Sequence, residues 1–191
     1  MEKFKNEVRD YYKSYYENGD KAHLIDHADD VCTLALKINQ KCDEKLVILA
    51  SYIHDMFNAM HRPTHNELAY EYVKKSDDKF LKELSKKERL EVANAVLEHR
   101  ASFKGEFYSN LSEIISSADR GEPDLEVVVQ RSMKFNGNAH DVYEHIKDKY
   151  GVNGYAKYPE VYRKIFKEEL AYFQKEADEI TVGKILEICN V

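Results

Sequence analysis

Glycine and proline are scarce in this chain, with seven and three among 191 residues, and tryptophan is absent. Because glycine and proline punctuate turns and break regular elements, their scarcity predicts long uninterrupted helices. No apolar run approaches the roughly 18 residues of a membrane-crossing helix, so we expect no membrane partner. The three cysteines (Cys32, Cys42 and Cys189) form no ligand-like cluster, and their odd number argues against a disulfide framework. With a charged N-terminus and no apolar signal region, the chain is predicted to be cytoplasmic.

An excess of basic charge is also missing. The formal net charge of −6 at pH 7 argues against broad nucleic-acid binding, which usually needs a basic face. A small phosphorylated substrate stays open, because a metal and a few local cations can outweigh the global charge. The N-terminal segment has an aromatic face, which favours a second copy of the chain as a partner in a homodimer. This face consists of Phe4, Val8, Tyr11, Tyr12 and Tyr15.

Apolar residues recur at helical spacing nearly throughout, without strand-like alternation, which predicts an all-α bundle of about 8–10 helices. The pattern places helices near 2–17, 21–40, 44–58, 65–76, 86–101, 109–120, 124–135, 139–150, 158–178 and 181–188. Capping-box sequences at Thr64–Glu67 and Ser85–Glu88 indicate two helix starts. Since composition shows no break, we expect a single domain over 1–191. Its motif-bearing core spans about 20–120, and a C-terminal helical extension spans about 122–191.

A histidine and an aspartate, His54 and Asp55, stand side by side near the end of the otherwise apolar run 46–57. A buried carboxylate without a partner is costly, and buried charges are usually paired or bound to metal. Other polar residues lie on or beside predicted helices in the same order along the chain: His27, His65, His99 and Asp119. Several inward polar residues near helix ends are the pattern of a metal site in a bundle core.

The donor atoms of this set are nitrogen and oxygen without thiolate, which suits divalent Mn, Fe, Co, Ni or Zn. Four of the residues would hold one ion with open coordination positions: His27, His54, Asp55 and Asp119. All six are enough for two ions, with Asp55 as the bridge. Each histidine alone also fits a hydrogen-bonded core residue. The second such pair, His140-Asp141, lacks an apolar lead-in and is interpreted as a solvated helix face.

Five short pieces in a fixed order carry a family resemblance over roughly residues 20–120: His-Leu-Ile-Asp-His27, Ala50-Ser-Tyr-Ile-His54-Asp55, His65-Asn-Glu-Leu-Ala69, Ala95-Val-Leu-Glu-His99 and Ile115-Ser-Ser-Ala-Asp119. The chain resembles the HD-domain superfamily of metal-dependent phosphohydrolases. By that resemblance, the ligands of the first metal are His27, His54, Asp55 and Asp119. His65 and His99 match the family members that bind a second metal. The loop from Asp55 to His65 is short, so His61 is the competing choice for His65.

Members of this superfamily mostly hydrolyse phosphomonoesters or phosphodiesters, often of nucleotides, and a few are di-iron oxygenases. The resemblance therefore implies cleavage of a phosphoester or phosphoanhydride bond in a small phosphorylated substrate, with a nucleotide as the favoured class. Two alternatives stay open. One is a di-iron oxygenase acting on a small organic substrate, and the other is a non-catalytic binding module stabilised by metal.

Cations close in sequence to the ligands are candidate phosphate contacts, because guanidinium groups grip phosphate oxygens bidentately. They are Arg62, Arg100 and Arg120, with Lys104 as a weaker candidate. Ordinary surface pairing with glutamate is the competing interpretation for each arginine.

Two further groups of residues have candidate roles around the substrate. In the loop-like segment 151–159, Tyr155 could stack on a base while Lys157 lies near phosphate, although a packed turn is the favoured interpretation there. Asp55 would serve catalysis through the metal. His61 and His23, close to the ligands in sequence, are the candidate proton donors to the leaving oxygen.

Overall fold

The computed structural model describes residues 1–17 and 23–190, and every regular element in them is helical. The all-α prediction is therefore confirmed. The twelve α-helices of these residues are α1 (Glu2–Tyr12), α2 (Ile25–Ile38), α3 (Glu44–Ile53), α4 (Asn58–His61), α5 (His65–Lys75), α6 (Lys86–Glu98), α7 (Asn110–Asp119), α8 (Leu125–Asn136), α9 (Ala139–Tyr150), α10 (Glu160–Ile165), α11 (Lys167–Glu179) and α12 (Val182–Cys189). Short 3-10 helices occupy Lys13–Tyr16, Arg62–Thr64 and Leu81–Glu83.

The chain divides into two compact units, Met1–Gly121 and Glu122–Val191. The first contains the whole motif-bearing core, and the second consists of the C-terminal helices. The single domain over 1–191 stays a prediction. Nowhere among the described residues is a helix both long enough and apolar enough to cross a membrane.

Helix α3 is the centre of the first unit, where it packs against α1, α2, α6 and α7. Its residues from Leu46 to Ile53 are all buried, as expected of a helix that is apolar on every side. Full burial of a leucine or isoleucine side chain stabilises the fold by about 1.5–3 kcal/mol. This packing fixes the C-terminal end of α3 inside the bundle, so the residues that follow it, His54 and Asp55, are buried as well.

Two helix boundaries near the motif differ from the sequence prediction. Helix α3 ends at Ile53 rather than near 58, and the turn 54–57 leads into the short helix α4. Helix α2 begins at Ile25, whereas residues 21 and 22 of the predicted helix lie outside the described residues. Because the chain turns after α3, the two consecutive residues His54 and Asp55 are both buried.

Of the two predicted capping boxes, the one at Ser85 is confirmed and the one at Thr64 is wrong. Ser85 Oγ accepts from the Glu88 backbone N–H at 3.3 Å, and Glu88 Oε2 accepts from the Ser85 N–H at 2.8 Å. Thr64 makes no side-chain cap to α5. Its hydroxyl is instead turned toward His61 Nδ1, at 2.8 Å.

The second unit packs α9 and α12 against α8, and α11 against α9. The predicted helix 158–178 is interrupted at Phe166 (φ −109°, ψ 37°), whose buried ring lies 4.9 Å from that of Tyr162. Its start shifts to Glu160, because Pro159 occupies the N-cap. His140 and Asp141 are exposed on α9, in agreement with the solvated face predicted for them.

The aromatic N-terminal helix packs within its own chain. Val8 and Tyr12 are fully buried, and the ring of Phe80 lies 5.7 Å from that of Phe4 and 5.4 Å from that of Tyr11. These contacts account for the aromatic face that suggested a dimer. The homodimer stays a prediction.

Candidate metal centre

Six polar side chains converge in the first unit, and each stands at or beside a helix terminus. They are His27 and His65 in the first turns of α2 and α5, and His54, Asp55, His99 and Asp119 at the ends of α3, α6 and α7. Apolar stripes bring them inward. On α6, for example, buried Val92, Ala95 and Val96 precede His99, which is only 2 % exposed.

The first group of candidate ligands contains His27, His54, Asp55 and Asp119, whose ligand atoms all lie within 4.8 Å of one another. His27 Nε2 lies 3.1 Å from Asp119 Oδ1 and 3.6 Å from Asp55 Oδ2. His54 Nε2 lies 3.5 Å from Asp55 Oδ2 and 3.6 Å from Asp119 Oδ1. Two nitrogen and two oxygen donors therefore surround one small volume.

The second group contains Asp55, His65 and His99, whose ligand atoms likewise lie within 4.8 Å of one another. Asp55 Oδ1 is 3.0 Å from His65 Nε2 and 3.5 Å from His99 Nε2. The two oxygens of Asp55 thus face different histidine pairs, since Oδ2 faces His27 and His54. One buried carboxylate joins the two groups.

Backbone carbonyls fix the orientation of three imidazole rings. The Nδ1 atoms of His54, His65 and His99 lie 2.7, 2.7 and 2.8 Å from the carbonyl oxygens of Ser51, Arg62 and Val96, each three residues earlier. A carbonyl only accepts, so Nδ1 carries the proton, and in a neutral ring Nε2 then presents a lone pair to the cluster. Such outer partners orient metal-binding histidines. Sequence reasoning missed them, although the common spacing of three residues is a usable signal.

The Nε2 atoms of three histidines face the cluster, and one of them has no hydrogen-bond partner. His54 Nε2 is buried and has no hydrogen-bond partner. His65 Nε2 and His99 Nε2 are 3.1 Å apart, each with its lone pair toward the other and toward Asp55. A buried polar atom without a partner costs about 1–3 kcal/mol, so this arrangement calls for a cation. The donor set therefore fits divalent metal ions.

The electrostatics of the cluster also favour positive charge. Burial lowers the pKa of His54, but the charges of Asp55 and Asp119 outweigh it and raise the pKa to about 10, so in the absence of metal the ring holds a proton at neutral pH, which a bound ion would replace. Burial raises the pKa of Asp55, but the charge of His54 and the hydrogen bonds of His54, His65 and His99 together bring it well below its usual value. Burial also raises the pKa of Asp119, but its contacts with His27 and His54 and the charges of His99 and His54 together bring it well below its usual value. Both carboxyl groups are consequently ionised at neutral pH.

Asp119 is the most exposed of the six residues of the cluster. The side chain of Asp119 is 19 % exposed, whereas that of His54 is fully buried.

His61, the competing ligand, lies outside both groups. It is exposed, and its Nδ1 is paired with the Thr64 hydroxyl. His23 is half-buried, and its ring lies 5.6 Å from that of His27. The structure thus brings His65 rather than His61 to the cluster. The proton-donor roles of His23 and His61 stay predictions.

The three arginines differ in what they touch. Arg62 is exposed in the 3-10 helix before α5. Arg100 donates to the Pro63 carbonyl at 2.6 Å, which ties the end of α6 to the start of α5. Arg120 is buried and donates to Ser116 Oγ at 2.9 Å. Arg100 and Arg120 therefore have structural partners, while their substrate contacts stay predictions.

The remaining candidates are exposed. Lys104 lies in the loop between α6 and α7. Tyr155 and Lys157 belong to the second unit, between α9 and α10, where Tyr155 is 48 % exposed. Their substrate contacts stay predictions too.

Comparison with known proteins agrees with this geometry. A model of the HD domain family matches residues 22–131, more than half of the chain, which confirms the predicted resemblance. No curated protein and no solved structure matches the chain. The family and the His/Asp cluster together indicate binding of a divalent metal.

Proposed function

The chain belongs to the HD-domain family, and on that premise we propose that it hydrolyses a phosphoester or phosphoanhydride bond of a small phosphorylated substrate, with a nucleotide as the first choice. The HD superfamily consists in general of metal-dependent hydrolases. One observation carries the proposal: the carboxylate of Asp55 joins two groups of nitrogen and oxygen donors in a buried cluster.

We propose two divalent transition-metal ions as cofactors, drawn from Mn, Fe, Co, Ni and Zn, which suit imidazole and carboxylate ligands. His27, His54, Asp55 and Asp119 would hold one ion, and Asp55, His65 and His99 the other. When bound, such ions polarise phosphoryl oxygens and make water acidic enough to attack at neutral pH. The orphaned Nε2 of His54 and the facing Nε2 atoms of His65 and His99 support this assignment.

The other residues of the chain would bind and orient the substrate. We expect a phosphate group to approach at Asp119, the most exposed residue of the cluster, and Arg62, which is exposed and close in sequence to His65, to meet it. Arg100, Arg120 and Lys104 are further candidates for phosphate contacts. His61 or His23 would give a proton to the leaving oxygen.

Other features of the proposal rest on the sequence alone. They are a base contact by Tyr155 with Lys157 near phosphate, a homodimer and a cytoplasmic location. Replacement of Tyr155 by alanine should raise KM for a nucleotide without changing metal content if the base contact is real.

The test is metal content by mass spectrometry on protein purified without chelator, combined with hydrolysis of a nucleotide panel under added Mn²⁺, Fe²⁺, Co²⁺ or Mg²⁺. Near two metals per chain with phosphate release from one nucleotide class is the expected result. Metal without turnover of any phosphorylated compound would contradict the hydrolase. Substrate-dependent oxygen consumption would then point to the oxygenase, and a metal-dependent melting temperature alone to the binding module.

A further inference from the structure

The N-terminal segment of the chain lies outside the family match, which begins at residue 22. Helix α1 nevertheless packs against α3, the helix that leads into His54 and Asp55. The contacts between this N-terminal segment and the helix that carries the candidate ligands therefore lie partly outside the region that matches the family.

The last carbonyl groups of a helix have no partners within the helix. At the end of α3, the Ala50 carbonyl accepts from the His54 backbone N–H at 3.0 Å, and the Ser51 carbonyl from His54 Nδ1 at 2.7 Å. The Tyr52 carbonyl accepts from the Tyr16 hydroxyl at 3.0 Å. The turn that presents the two ligands is thus closed partly by a side chain from the N-terminal segment.

The Tyr16 hydroxyl is well suited to this role. The side chain is only 2 % exposed, so water does not compete for the bond. Burial, followed by the charge of Asp55, raises the pKa of Tyr16 well above its usual value, and the hydroxyl keeps the proton that it donates. The backbone N–H of Asp55 donates a hydrogen bond to the Tyr16 hydroxyl oxygen, and this bond alone lowers the pKa of Tyr16 but does not offset burial.

Tyr52 is also held at its other end. Its hydroxyl donates to Asp29 Oδ1 at 2.8 Å, and Asp29 in turn accepts from Arg9 Nε at 2.8 Å. Asp29 lies two positions after His27 on α2. The N-terminal segment therefore reaches Tyr52 twice, directly through Tyr16 and indirectly through Arg9 and Asp29.

We propose that Tyr16 is a positioning residue of the metal centre, whose hydroxyl fixes the turn carrying His54 and Asp55 by capping the Tyr52 carbonyl. This inference rests on the proposed metal binding. Tyr16 touches neither the substrate nor the ions in this role. It acts through the backbone between Tyr52 and Asp55.

Tyr12 provides a matched control in the same segment. It is fully buried, and its hydroxyl donates to Asp78 Oδ2 at 2.7 Å, away from the six candidate ligands. Tyr16→Phe and Tyr12→Phe each remove one buried hydroxyl and keep the ring. Any general loss of stability should therefore be similar in the two variants.

The measurements are Co²⁺ or Mn²⁺ affinity by calorimetry and the visible absorption of bound Co²⁺, which reports ligand geometry. Tyr16→Phe should weaken affinity about tenfold, at the lower end of the effect of outer partners of metal ligands, and should alter the Co²⁺ spectrum. Tyr12→Phe should leave affinity within about twofold of wild type. Equal affinities and spectra in Tyr16→Phe and Tyr12→Phe would overturn the positioning role and leave the proposed function standing.

Hydrogen exchange of the metal-free protein gives a second readout. Backbone amides of residues 54–58 should exchange faster in Tyr16→Phe than in wild type and Tyr12→Phe. Unchanged exchange there would also overturn the role. If the wild-type chain binds neither Co²⁺ nor Mn²⁺, the proposed function is contradicted, and the positioning role with it.

Discussion

The Nε2 atoms of His65 and His99 face each other at 3.1 Å, while the Nδ1 atom of each ring is committed to a backbone carbonyl. Neither neutral ring has a proton to offer the other. Asp55 Oδ1, 3.0 Å from His65 Nε2, adds a third acceptor to the same small space. Two neutral rings and a carboxylate in this arrangement need a cation among them, either a proton on one ring or a metal ion, so the geometry fits a metal at this half of the cluster as well as at the half around His54.

Metal removal should lower the stability of the fold. A ligand at a free concentration of 100 Kd stabilises the native state by about 2.7 kcal/mol, so chelation should reduce Tm by roughly 5–10 °C in a chain of this size. Calorimetric scans with and without chelator, followed by re-addition of Mn²⁺ or Co²⁺, measure the effect. An unchanged Tm would contradict the fit between the cluster and a divalent ion.

Asp55→Ala should abolish binding of both ions, because Asp55 belongs to both ligand groups. Metal content should fall from near two per chain to near zero, with loss of hydrolysis and retention of helical circular dichroism. The second His-Asp pair supplies the control. Asp141→Ala alters an exposed residue of α9 and should keep wild-type metal content. Bound metal at wild-type stoichiometry in Asp55→Ala would refute the ligand assignment.

His65→Ala should remove one ion and leave the other. His65 contacts Asp55 Oδ1 and His99, whereas the first group has a separate histidine pair. His61→Ala is the matched control, since His61 was the competing ligand and is exposed. Metal counts by mass spectrometry should fall by about one per chain in the first variant only. The reverse outcome would exchange the two assignments.

Arg62→Ala should weaken substrate binding without loss of metal. A hydrogen bond to a charged group contributes about 1.5–3 kcal/mol, so KM should rise roughly tenfold or more while kcat changes less. Arg120→Ala should behave differently, because Arg120 is buried against Ser116 and should disturb the fold first. Steady-state kinetics with parallel metal analysis separates the two effects. An unchanged KM would remove Arg62 from the substrate site.

Ser85→Ala should destabilise the chain by about 1 kcal/mol, since it removes a helix cap whose hydrogen bonds are present in the structure. Thr64→Ala should change stability by less than about 0.5 kcal/mol, because Thr64 does not cap α5. Urea denaturation measures both variants. Equal losses would mean that Thr64 caps α5 in solution.

Local spacing along the chain was enough to predict the helical class and the order of the candidate ligands. Apolar stripes predicted that His27 and His99 point inward, and burial of both residues agrees. The short pieces around the ligands also identified the HD family, which the match over residues 22–131 confirms.

The packing of the helices was needed to place His65 rather than His61 in the cluster, and to show that the two oxygens of Asp55 face different histidine pairs. These facts depend on how helices distant along the chain pack together. His27 and Asp119 are 92 positions apart, yet their side chains lie 3.1 Å from each other. The interruption at Phe166 and the lost cap at Thr64 have a similar origin, since tertiary and side-chain contacts outweighed local preference there. Periodicity gives the direction of a side chain from its own helix, but it carries no information about the distance to its partner.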